Sequence, residues 1–89
     1  MIIGKVIGNV WATRKDETLN GLKLLVIEAI DYESNQKKGS FVAVDSVGAG
    51  IGDQVLVVKG NAARKALQRE EAAVDATVVG IIDEVEVKA

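Results

Sequence analysis

Three glycines at alternate positions, Gly48, Gly50 and Gly52, have the spacing best suited to a chemical task in this chain. They fall in the run Gly48-Ala49-Gly50-Ile51-Gly52-Asp53, between apolar stretches at 41–44 and 55–58. A glycine-rich turn after a strand can bring backbone N–H groups to a phosphate. That arrangement needs a helix opening directly behind the turn, because its free N–H groups and dipole hold the anion. Here a valine-rich strand follows instead. The run therefore reads as a turn whose glycines take positive φ and pack tightly against a neighbour.

The other groups that could do chemistry are carboxylates and hydroxyls. Asp45, Asp53, Asp75 and Asp83 come at the ends of predicted strands. Two of them could form an acid/base pair, but nothing selects which two, and turn or surface roles are expected. The dense acidic spacing of a calcium-binding loop is absent. Ser34, Ser40 and Ser46 have no base to activate them, because the chain has no histidine, which excludes a serine triad. The same absence removes the usual proton acceptor near neutral pH and the commonest nitrogen ligand for zinc. Cysteine is also missing, so neither a disulfide nor a thiolate metal site is available. The expectation is a protein that is not an enzyme, with no catalytic or metal-binding residues and no cofactor.

Charge sets a second limit. The formal net charge is −2 at pH 7. Arg14-Lys15 is offset by Asp16-Glu17, and Arg64, Lys65 and Arg69 are offset by Glu70 and Glu71, so no basic stripe forms. A nucleic-acid-binding barrel would offer aromatic platforms in a basic groove. This chain has three large aromatics, Trp11, Tyr32 and Phe41. A nucleic-acid-binding module is thus the alternative reading, with no nucleic acid as the expectation. The start of the chain, 1–3, is apolar but opens no long apolar run, so no secretory signal is expected. No window reaches the roughly 18 apolar residues of a membrane span, so no membrane partner is expected.

The elements that position these residues read mostly as strands. Hydrophobic residues make up 48% of the chain and aromatics 3%, so the apolar content is almost all aliphatic, a strand composition. Residues 2–13 alternate, with Ile2, Gly4, Val6, Gly8, Val10 and Ala12 on one face. Gly4 and Gly8 let that strand bend as a barrel corner requires. A polar connection at 14–21 ends in Asn20-Gly21, a turn signal. A second strand at 22–30 is apolar on both faces. A polar loop at 31–39 leads to strands at 40–45 and 54–59. A short helix is predicted at 61–68 with Asn61 as its N-cap, then a charged connection at 69–74 and a fifth strand at 76–87. The fold class expected over the single domain 1–89 is all-β: a small five-stranded OB-like barrel with one short α-helix between strands four and five. The usual OB arrangement places that helix between strands three and four. A barrel has one interior, yet strands two, four and five carry apolar residues on both faces. The surplus calls for a partner, and a homo-oligomer is expected.

The chain also resembles the vertex family of bacterial microcompartments, the small pentameric shell proteins of carboxysomes and of ethanolamine- and propanediol-type metabolosomes. The resemblance runs end to end. It rests on Gly4-Lys-Val-Ile-Gly8, Ala12-Thr-Arg-Lys15, Leu19-Asn-Gly-Leu-Lys-Leu-Leu25, Val42-Ala-Val-Asp45, Val47-Gly-Ala-Gly-Ile-Gly-Asp53, Val55-Leu-Val57, the block 60–64, Asp75-Ala76 and Val79-Gly-Ile-Ile-Asp83. It departs at Asn61 and Ala62, where the family often has two serines, at Val74, where a proline is common, and at Asp53, where glutamate is common. The resemblance implies homopentamers that cap shell vertices, with hexameric shell proteins as partners, in the cytoplasm at the microcompartment shell. It makes the oligomer a pentamer and suggests that Gly48, Ala49, Gly50, Ile51, Gly52 and Asp53 form a subunit interface or pore loop near the ring axis.

Overall fold

The computed structural model describes residues 1–13, 15–34 and 36–88. Arg14 in the expected connection 14–21, Asn35 in the expected loop 31–39 and Ala89 lie outside the described residues. Five strands, β1 (Ile2–Val10), β2 (Leu24–Asp31), β3 (Gln36–Asp45), β4 (Gln54–Lys59) and β5 (Ala76–Ile81), close a barrel in the order β1-β2-β3-β5-β4. All pairings are antiparallel except β3 with β5. Helix α1 (Asn61–Leu67) separates β4 from β5, as expected, and a 3₁₀ turn at Glu17–Leu19 sits in the β1–β2 connection.

The interior is aliphatic. Val6, Leu25, Ile27, Val55, Val57 and Val78 are fully buried there, with Ala43, Ala49 and Ala76 filling the narrower places. Each large side chain contributes roughly 1.5–3 kcal/mol by leaving water. Gly4 also belongs to this closure. A Cβ at Gly4 would lie 2.5 Å from Ile27 Cγ2 and 2.8 Å from the Glu28 carbonyl oxygen, so only glycine lets β1 approach β2 this closely. A bulge between Val6 and Gly8 then turns β1 along the barrel wall.

Part of the surplus apolar surface is used within the chain. Leu24 pairs with Val44, Val44 with Thr77, and Thr77 with Val58, making one row across four strands on the outside of the barrel. α1 and the segment after it cover this row with Ala63, Leu67, Ala72 and Val74. Thr77 is fully buried beneath the helix and donates its hydroxyl to the Ala63 carbonyl at 2.9 Å. Two outer rows have no such cover. Ile3, Leu56 and Gly80 pair across β1, β4 and β5. Gly8, Val26 and Val42 pair across β1, β2 and β3. Val42 remains 47% exposed.

Several boundaries differ from the expectation. β1 stops at Val10, not at 13. β2 starts at Leu24, where pairing with Val44 begins, and runs to Asp31. β3 starts at Gln36, so most of the expected loop 31–39 is a hairpin arm. Backbone pairing and the ion pairs Lys37–Glu28 (3.7 Å) and Lys38–Asp31 (3.9 Å) hold this arm, with no apolar alternation to mark it. β5 ends at Ile81 rather than 87. The Ile82 N–H still donates to the Gln54 carbonyl at 2.8 Å, but β4 begins at Gln54 and offers nothing further to pair with. The helix N-cap is Gly60, not Asn61. Asn61 is the first helical residue, and its side-chain oxygen accepts from Arg64 Nη2. The helix ends at Leu67, one residue early, because Gln68 turns left-handed at φ 57° and caps it.

Candidate functional site

The glycine run is the connection between β3 and β4, and two carboxylates organise it. Asp45, the last residue of β3, accepts the Val47 N–H on Oδ1 (3.1 Å) and the N–H groups of Gly48 (2.9 Å) and Ala49 (3.1 Å) on Oδ2. Asp53 Oδ2 accepts the Gly50 N–H at 2.9 Å. The Gly52 N–H donates to the Val6 carbonyl, and the Val6 N–H donates to the Asp53 carbonyl, each at 2.9 Å. The N–H groups of Val47, Gly48, Ala49, Gly50, Gly52 and Asp53 are therefore engaged by the chain's own oxygens. A phosphate would have to displace carboxylates that already fill its place, and a strand, not a helix, follows. The phosphate reading fails on both counts.

Ala49 is fully buried in the barrel core, and its carbonyl accepts the Lys23 ammonium at 2.7 Å. This pins the middle of the loop while the flanks turn. Gly48 (φ 82°) and Gly52 (φ 97°) hold the left-handed conformations expected of them. Gly50 does not: its φ is not positive, and a Cβ there would meet nothing within 4 Å. The tight packing expected around the glycines is not found within one chain. No atom lies within 4 Å of a Cβ built at Gly48 or Gly52 either.

Beside the loop, the structure places a residue that the sequence reading weighed only as an aromatic. Trp11, just past β1, is 90% exposed, and Ile51 at the loop tip is 64% exposed. Between them runs an open groove of about 520 Å³, bordered also by Leu22 and by the ammonium-bearing Lys15 and Lys23. Tryptophan is enriched among the residues that carry binding energy at protein interfaces. Its composition alone gave no hint of this exposure. Tyr32 and Phe41 border a different pocket, with Met1, Ile2 and Ile3 at the opposite end of β1. Phe41 lies under the Lys59 ammonium, 4.2 Å from the ring centre. The aromatics thus do not share the single basic face that a nucleic-acid strand would need.

Of the four strand-end aspartates, the loop brings together Asp45 and Asp53, both spent on backbone N–H groups. Asp75 stands before β5, where its carbonyl accepts the Gly60 N–H, and Asp83 follows that strand. Two carboxyls outside the loop are held below their usual range. A hydrogen bond from the Thr18 side chain, aided by the Thr18 N–H, lowers Asp16. Asp31 is lowered by the Ser34 side chain and then by the Glu33 N–H.

The family described as ethanolamine utilisation protein EutN/carboxysome matches residues 1–83. The chain belongs to this family. Two EutN/carboxysome relatives span nearly all of it. The carboxysome shell vertex protein CcmL of Nostoc sp. is 47% identical over 99% of this chain and 88% of its own length. The bacterial microcompartment shell vertex protein GrpN of Rhodospirillum rubrum is 44% identical over 97% of each chain. Solved structures of this family superpose closely. The pentameric microcompartment shell protein GrpN from R. rubrum does so with a TM-score of 0.87 and 45% identity over 99% of this chain and 100% of that one. CcmL of Gloeobacter violaceus does so at 0.89 and 43%, over 98% and 90%. The glycine loop and Trp11 both lie inside the matched residues, so they sit on the family's shared barrel.

Proposed function

We propose that this chain assembles as a homopentamer and caps the vertices of a bacterial microcompartment shell in the cytoplasm. The observation that carries the reading is the end-to-end match to the pentameric shell protein of R. rubrum, 45% identical over 99% of this chain. The uncovered rows Ile3-Leu56-Gly80 and Gly8-Val26-Val42 support it. They are two different apolar surfaces, and a ring joins subunits head to tail through two different patches. The protein acts through assembly rather than catalysis, since its carboxylate pair is consumed in holding a turn. Hexameric shell proteins are its neighbours in the shell. The loop of Gly48, Ala49, Gly50, Ile51, Gly52 and Asp53 lies at a subunit contact, where Gly50, uncrowded within its own chain, admits a neighbour.

Size-exclusion chromatography with light scattering at micromolar protein tests the assembly. Five chains of 9.4 kDa give about 47 kDa. A particle of one chain at that concentration overturns the reading.

A further inference from the structure

We propose that the tail after β5, residues 83–88 of one subunit, docks in the Trp11–Ile51 groove of the next subunit in the ring. This rests on the ring reading above and goes beyond it by naming the two surfaces that interlock. The tail lies at the end of the residues that the family shares, whose match stops at 83.

The first support is chemical fit. The tail Asp83-Glu84-Val85-Glu86-Val87-Lys88 is acidic and aliphatic. No strand pairs with it, and Val87 is 52% exposed. The groove offers the complement: apolar walls from Trp11, Leu22 and Ile51, and two ammonium groups, Lys15 and Lys23, the second also donating to the Ala49 carbonyl, with no acidic residue among its described lining, although Asp16 and Glu17 follow Lys15 in the chain. In an extended segment Val85 and Val87 share one face. They settle on the apolar floor, and Glu84 and Glu86 remain at the rim, within reach of the long lysine side chains.

The second support is position. β1 and β5 both run antiparallel to β4, so both head toward the end of the barrel where β4 begins; β5 ends there at Ile81, opposite Val55, and β1 continues from its Lys5–Gln54 pair to Val10, alongside the path the tail takes. The groove opens past the end of β1, and the tail leaves past the end of β5. A ring is generated by rotation without translation, so two features interlock between neighbours only if they stand at the same level. Six extended residues reach about 20 Å, comparable to the chain's two narrower extents of 23 and 20 Å. The tail is long enough to cross to the next subunit.

Disulfide trapping tests this directly, because the chain has no cysteine of its own. Lys15→Cys and Glu86→Cys are introduced together, at two exposed positions where folding tolerates the change. Each single variant serves as a control and is first confirmed to keep the five-chain mass. After mild oxidation of the double variant, a non-reducing denaturing gel is expected to show a ladder from two chains up to five. A single-chain band with its thiols consumed means that the tail folds back on its own groove, and overturns the proposal. Free thiols on a five-chain particle also overturn it, while leaving the ring itself standing. A one-chain native mass for the unmodified protein would instead refute the ring reading on which this rests. As a second measurement, a chain truncated after Ile82 is expected to dissociate at a concentration at least roughly tenfold higher than the full chain, given the loss of two buried valines per contact. An unchanged dissociation midpoint counts against the tail.

Discussion

At the scale of single residues, Asp45 does the most to shape the candidate site. One carboxylate satisfies three consecutive backbone N–H groups, and hydrogen bonds to a charged acceptor contribute more than neutral ones. Asp45→Ala removes the acceptor of all three and leaves the buried Ala49 N–H without a partner, and is expected to cost about 2 kcal/mol. That lowers the thermal midpoint by roughly 10 °C or more for a chain of this size. Asp45→Asn keeps one acceptor oxygen and is expected to lose less. Two variants melting with the parent would remove Asp45 as the organiser of the turn. The glycines separate in the same way. Gly48→Val forces a branched side chain into φ 82° and is expected to cost about 1–2 kcal/mol in folding. At Gly50 the φ is not positive and a Cβ would meet nothing within 4 Å of its own chain, so Gly50→Val should melt normally at dilutions where subunits separate and yet lower the native mass. If Gly50→Val keeps its full mass, Gly50 does not stand at an interface. The sequence reading foresaw that glycines of this run would turn the chain, but not which ones. A G-x-G-x-G spacing carries no φ values, and four strand-end aspartates look alike until the strands place two of them in one loop.

At the scale of elements, the sequence reading recovered all five strands and the helix, and the misses are at their ends. A strand ends where its partner ends, and the partner is remote in sequence. The valines of 84–87 keep the period of a strand, yet β4 stops at Gln54 and leaves them unpaired. The first half of β3 carries lysines and glycine in place of alternating apolar residues, so it read as a loop while the register with β2 makes it a strand. The surplus apolar faces were legible, but their split was not: Leu24 and Val58 go under α1, whereas Val26 and Leu56 stay half-exposed. The bend of β1 allows a sharper test. Gly4→Ala places a methyl against Ile27 and, at 2.8 Å, against the backbone of Glu28, which cannot rotate away. A loss of about 1–3 kcal/mol in denaturant unfolding is expected from such overpacking. Gly8→Ala, whose nearest neighbour would be 3.7 Å away, should lie within about 1 kcal/mol of the parent. Equal losses at the two sites would show that the bulge, not the close approach, sets the barrel wall.

At the scale of the whole molecule, function lies in assembly geometry. Hexamers alone tile flat sheets or tubes, and a closed polyhedron needs five-fold corners. Deleting this protein from its host is expected to leave elongated or unsealed shells while the enclosed enzymes keep their intrinsic activity. Electron microscopy checks this, and closed polyhedra in a strain with no substitute vertex protein would refute the vertex role. The strand order has one further consequence, in time rather than space. β5 is the last strand made, yet it lies between β3 and β4 and joins β3 through two residue pairs, Val44–Thr77 and Asp45–Val78. During synthesis the barrel cannot seal until Ile81 has left the ribosome. Until then two open edges and a valine-lined interior face the cytosol. Closure through such distant partners is slow compared with local hairpin formation. Subunits that recognise one another through the closed barrel cannot begin to do so before β5 has emerged and taken its place between β3 and β4.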